Sequence, residues 1–186
     1  MVTLVVEDGT GSNPNANSYC DLASAVLYMD NRLNTAEWDA ADSDTRSQAL
    51  ITATRTIDAD CKFRGYKKLA TQPLYWPRVK AKNDDLYGPL PWPHTGWLGG
   101  YWDENSIPIP LRDATALEAL ELLRGDRTKD PSIRGLTSFT IPGPLSFTFD
   151  QASVPMPLSD EVKRMLTPLI TSFRYGGGVR RVTRVQ

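Results

Sequence analysis

The stretch SDTRSQALITATRTIDADCKF, residues 43–63, decides the fold class expected of this chain. Leu50, Ala53, Ile57 and Cys61 recur at steps of three and four, which places them on one side of a helix. Asp42-Ser43 offers a start and Gly65 a stop. Upstream, Asp21 can accept a hydrogen bond from the amides of a first turn. Leu22, Val26, Met29 and Leu33 then form a second apolar stripe, ended by Asn34-Thr35. Trp38 follows in a short acidic connector and reads as a cap on the core.

Downstream, Pro110 suits a first helical turn, where its missing amide does no harm. Ala114, Leu117, Leu120 and Leu123 follow it, and Gly125 closes the segment. A fourth helix is expected from Ser159, with Asp160 and Glu161 favourably placed against its dipole. It would bury Val162, Leu166, Leu169 and Phe173, and Pro168 inside the pattern marks a kink or an early end.

Of the fourteen prolines and thirteen glycines, twelve prolines and seven glycines lie in residues 65–110 and 131–157, which therefore read as loops or short strands. Residues 138–141 and 145–149 alternate apolar and polar around Pro142-Gly143-Pro144, a hairpin pattern. A lone hairpin is marginal in water, so this one is expected to lean on the helices or on a neighbouring subunit. Residues 3–6 fit a short strand. The fold expected is mainly α: a small bundle of about four helices with a β-hairpin at 137–150, a long aromatic-rich loop insertion at 65–108, and an extended C-terminal tail. Residues 1–173 would form a single domain, and 174–186 a flexible basic arm.

The 186 residues suffice for one domain with a core, and 21 basic against 22 acidic side chains give no global pull toward nucleic acid. Cys20 and Cys61 have no metal spacing and read as buried, reduced thiols. The N-terminus lacks the basic lead of a signal peptide, and no stretch approaches the roughly 20 apolar residues of a membrane span, so a soluble chain is expected.

No catalytic arrangement emerges. The single histidine, His94, stands in a Pro/Gly/Trp loop without a second ligand or a nucleophile elbow. The glycine clusters match neither a phosphate loop nor a dinucleotide fingerprint. Asp84-Asp85 and Asp103-Glu104 read as hydrophilic loop faces. Asp8, Asn13, Asn15 and Asn17 imitate a calcium loop but lack its glycine and closing glutamate. The chain is expected to be no enzyme, and to need no cofactor or metal.

Three features call for a role. Four of the five tryptophans fall within residues 65–108, together with Tyr66, Tyr75, Tyr87 and Tyr101. Such a loop can stack on bases, form a protein interface through residues such as Tyr87, Trp92, Trp97, Tyr101 and Trp102, or build a local core. A basic run, Lys62, Arg64, Lys67, Lys68, Arg78, Lys80 and Lys82, is interleaved with these aromatics and reads either as a solvated face or as contacts to DNA phosphates. At the terminus, Gly176-Gly177-Gly178 uncouples Val179, Arg180, Arg181, Val182, Thr183, Arg184 and Val185 from the rest. Their alternation suits the addition of a strand to an acidic partner.

Val6-Glu7-Asp8-Gly9-Thr10-Gly11 and Asn15-Ala16-Asn17-Ser18-Tyr19 open a series of motifs. Ala49-Leu50-Ile51 with Ala53-Thr54, Leu74-Tyr75-Trp76-Pro77-Arg78, Ile107-Pro108 and Leu166-Thr167-Pro168-Leu169 continue it in order. The series resembles a tailed-phage family labelled DnaT-like single-stranded DNA-binding proteins, whose members look like head–tail connector proteins. The resemblance spans most of the chain; residues 82–105 are longer and richer in Trp than the family pattern, and the basic tail has no residue-by-residue match. It implies an adaptor in the virion neck, made in the host cytoplasm. The adaptor would be a homo-oligomeric ring of about twelve copies below the portal protein, joined to the next neck or tail protein. Genomic DNA would pass through the channel without sequence specificity, and no membrane is involved. Under that reading Gly176, Gly177 and Gly178 are a hinge, and Val179 to Val185 dock on the portal. Lys67, Lys68, Arg78 and Lys80 would face the DNA. The competing reading is a single-stranded DNA-binding module that uses the same cations for phosphates and Tyr75, Trp76 or Trp92 for stacking.

Overall fold

The computed structural model describes residues 2–83, 100–125, 138–140, 146–148 and 158–174. Three helices form the N-terminal half: α1 (Leu22–Asp30), α2 (Ala36–Ala40) and α3 (Ser43–Asp60). Asp21 caps α1 by accepting from the Ser24 amide at 2.7 Å, and Asp42 caps α3 by accepting from the Thr45 amide at 2.6 Å. Trp38, in α2, is buried as expected. Leu33 lies past the end of α1 and is 84% exposed, so the stripe of that helix is Ala25 and Met29, with Leu22 and Val26 at its margin.

The longest helix stops at Asp60 instead of running to 63. Cys61, Lys62 and Phe63 are buried, exposed and buried in turn, the period-two pattern of strand β1 (Cys61–Phe63). β1 pairs antiparallel with β8 (Ile170–Phe173), Cys61 opposite Phe173. The partner comes from the far end of the described chain, and its hydrogen bonds override the helical spacing of Cys61.

Short strands also occur within the described part of the 65–108 region. Gly65, at a φ of +71°, turns the chain from β1 into β2 (Tyr66–Lys67), which pairs with β3 (Arg78–Val79). β4 (Lys82–Asn83) pairs with β5 (Gly100–Tyr101). The hairpin is present as β6 (Ser138–Thr140) and β7 (Ser146–Thr148), Phe139 opposite Phe147. Among the described residues, all four ladders are antiparallel and two-stranded. The fold is therefore mixed α/β, and the expectation of a mainly helical bundle is corrected: among the described residues, short antiparallel ladders stand beside the helices.

The centre is α4 (Ile109–Arg124), which starts with a proline in its first turn as expected. Residues 114–120 are all buried, so no side of its middle faces water. Leu111, Ala114 and Leu117 join Ile57, Phe63, Trp76, Leu158, Val162, Leu166 and Leu169 in one core cluster. Ala116, Ala119 and Leu120 join Met29, Trp38, Leu50 and Ala53 in another. Helix α5 (Asp160–Leu166) is capped by Ser159 and gives way to a 3-10 turn, Thr167–Leu169, at Pro168. That is the early end the proline allowed, but Phe173 belongs to strand β8 rather than to a helix. Among the described residues no helix is long and apolar enough to cross a membrane, and no three His, Cys, Asp or Glu side chains gather to hold a metal.

Candidate functional site

The motifs separated along the sequence meet in space beside α3. Tyr19, fully buried, donates its hydroxyl to Asp58 Oδ1 at 2.5 Å and accepts the amides of Tyr75 and Trp76 at 3.0 and 3.1 Å. Asp58 Oδ2 accepts the Tyr75 amide as well, at 3.1 Å. Burial pushes the Asp58 carboxyl up to about 6, against the pull of the Tyr19 hydroxyl, the Tyr75 amide and the charges of Lys67 and Arg174. Burial also pushes the Tyr19 hydroxyl well up. The Trp76 indole is buried and donates to the Ser106 carbonyl at 3.0 Å.

The N-terminal loop locks onto the same node. Glu7 is buried, and its Oε1 accepts the Gly9 and Gly11 amides at 3.1 and 2.8 Å. Gly9 has a φ of +92°, and a β-carbon there would run into the Asn105 carbonyl. Lys68 Nζ donates to the Gly9 carbonyl at 3.2 Å and to Asn105 Oδ1 at 2.7 Å. Gln72 bridges the Leu69 amide and the Leu74 and Pro77 carbonyls.

Around this node lies the basic region. Residues 61–83 hold seven Lys or Arg and no Asp or Glu. Lys62, Lys80 and Lys82 are exposed; Arg64, Lys67 and Lys68 are half-buried. Lys82 and Tyr101 are paired residues across the β4–β5 ladder, so their exposed side chains stand side by side. Tyr66 is 70% and Tyr101 57% exposed, large apolar areas for side chains beside lysines.

The residues singled out from sequence separate into three groups. Lys80 is exposed, and its amide donates to Glu104 Oε1 at 3.3 Å. Lys67 and Lys68 are half-buried and donate to main-chain carbonyls of Gln72 and Gly9. Arg78 is buried, with Nε on the Arg64 carbonyl at 2.5 Å, Nη1 on Tyr75 at 3.0 Å and Nη2 on Gly65. This guanidinium knits three carbonyls together inside the fold, and the buried Trp76 offers no face for stacking. Tyr101 is exposed and Trp102 half-buried. Tyr87, Trp92, Trp97, Gly176, Gly177, Gly178, and Val179, Arg180, Arg181, Val182, Thr183, Arg184 and Val185 lie outside the described residues. Sequence reading gave no place to the Tyr19–Asp58 pair; it counted Tyr66 among the loop aromatics and Arg174 at the start of the basic arm, without bringing either to a site. The alternation of Cys61-Lys62-Phe63 is the one signal that foretells an exposed basic strand.

Burial pushes the Cys20 and Cys61 thiols up to about 12, which keeps them protonated and poor nucleophiles. What remains is a surface of exposed lysines and tyrosines beside a buried polar node. The family model described as "Putative DnaT-like ssDNA binding protein" matches residues 2–185, and the chain belongs to that family. No curated protein and no solved structure matches it.

Proposed function

We propose that this protein binds single-stranded DNA without catalysing a reaction on it. Lys62, Lys80 and Lys82 meet phosphates, and Tyr66 and Tyr101 offer rings on which bases stack. The observation that carries this reading is the stretch 61–83, which holds seven cations and no acid, exposes Lys62, Lys80 and Lys82, and sets Lys82 beside the exposed Tyr101 across the β4–β5 ladder. The family membership supports the same class of ligand. The test is a fluorescence-anisotropy titration of a labelled oligo-dT strand at several salt concentrations. The logarithm of affinity should fall linearly with the logarithm of salt, by about 0.7 for each phosphate contacted. Tyr101→Ala should weaken binding by about 1–3 kcal/mol. Absence of salt-dependent binding would sink the reading.

A second reading keeps the connector role implied by the motif series: a ring in the virion neck, on the portal, with the lysines toward the DNA channel. What favours it is that Lys68 and Arg78 already donate to their own main chain, in a molecule of net charge −1. Imaging of virion necks distinguishes the two, since a connector must appear as a ring around the channel. A chain truncated after Gly178 should then fail to attach to portal-bearing capsids.

A further inference from the structure

We propose that Lys67, Tyr75 and Arg174 form a two-cation subsite for the phosphodiester backbone of single-stranded DNA, an inference that rests on the nucleic-acid reading above. Lys67 Nζ lies 4.7 Å and the Arg174 guanidinium carbon 5.0 Å from the centroid of the Tyr75 ring. One cation comes from β2 and the other from the residue after β8, so only the folded chain brings them to one ring. The negative face of the ring attracts each cation. Two like charges beside one ring also repel, and phosphates that pair with them relieve that repulsion.

The main chain that carries the ring is held in place. The Tyr75 amide donates to Tyr19 and Asp58, and its carbonyl accepts from Arg78 at 3.0 Å. Lys67 has a second tether, the Gln72 carbonyl at 3.2 Å, and the Arg174 amide donates to the Asp60 carbonyl at 2.6 Å. Lys67 is thus held by its side chain and Arg174 by its main chain, which removes part of the ordering cost of binding. Among the described residues no carboxylate lies within ion-pair distance of either. Asp58 below them has both oxygens engaged by Tyr19 and Tyr75, so it lowers the local potential without occupying their donors. An ammonium with three donors and a guanidinium with a planar fork suit a phosphate, and their distinct positions suit a chain of phosphates better than a lone carboxylate.

The experiment uses the full chain and a fluorescein-labelled oligo-dT strand of about twenty nucleotides, read by anisotropy across a salt series. Lys67→Gln and Arg174→Gln should each weaken binding severalfold and reduce the salt slope by about 0.7. The double variant should lose about twice that slope. Tyr75→Leu keeps the main-chain hydrogen bonds and both charges but unseats them, so affinity should fall while most of the slope remains. Arg164→Gln, on the exposed side of α5, serves as the control, and circular dichroism checks that every variant is folded. The proposal is overturned if the parent chain binds with a salt slope that the double variant shares with Arg164→Gln; the broader nucleic-acid reading then survives. If the parent chain shows no salt-dependent binding, both fall. Equal binding of poly-glutamate with the same response to the variants also overturns it, because the site would then respond to charge alone.

Discussion

Three groups converge on the Tyr19 hydroxyl: the Asp58 carboxylate and the amides of Tyr75 and Trp76. Tyr19→Phe leaves the Trp76 amide and one carboxylate oxygen buried without that partner, and should cost about 2–4 kcal/mol in denaturant titration. Asp58 has its own signature. Its folded-state value is raised from 3.8 to about 6, so the folded chain holds this proton more tightly than the unfolded chain does. Stability from this group is therefore greatest at low pH, declines as pH rises from about 4 through 6, and stays reduced above that. A carbon-13 carboxyl titration should find the Asp58 midpoint near 6 and, in Tyr19→Phe, a higher one, because the hydroxyl bond favours the charged form.

At the scale of elements, the same residue spacing yields a helix or a strand according to what lies alongside. Cys61 continues the stripe of α3, yet the chain leaves the helix there because β8 supplies a ladder partner. Pro168 ends α5 and thereby frees Ile170–Phe173 to be that partner. The N-terminal loop depends on Gly9 in the same way, through its left-handed backbone and its closeness to Asn105. Gly9→Ala should destabilise by about 1–3 kcal/mol from the backbone conformation alone, with the collision adding to it. Thermal melts of the variant and the parent chain check this.

At the scale of the molecule, α4 belongs to both core clusters, with Leu117 facing one and Leu120 the other. Leu117→Ala and Leu120→Ala should each cost about 2–5 kcal/mol. Because the helix is shared, either change should move a single transition. Trp76 reports on one cluster and Trp38 on the other, so tryptophan fluorescence and far-ultraviolet circular dichroism should give coincident melting curves in both variants. Separate transitions would show that the clusters are independent.

Local chemistry alone determined the helices, with their starts at Asp21, Asp42, Pro110 and Ser159, and the hairpin at 138–148, because caps and periodicity act within a few residues of themselves. The order of the short motifs also foreshadowed the family. Only the tertiary structure decided that residues 61–83 pair as strands, since Phe173, Val79 and Tyr101 lie opposite Cys61, Tyr66 and Lys82. It likewise decided which cations face water: Arg78 turns inward to satisfy three carbonyls, whereas Lys62, Lys80 and Lys82 remain outside. Burial and the geometry of distant main-chain acceptors make that distinction, and no spacing along the chain encodes it.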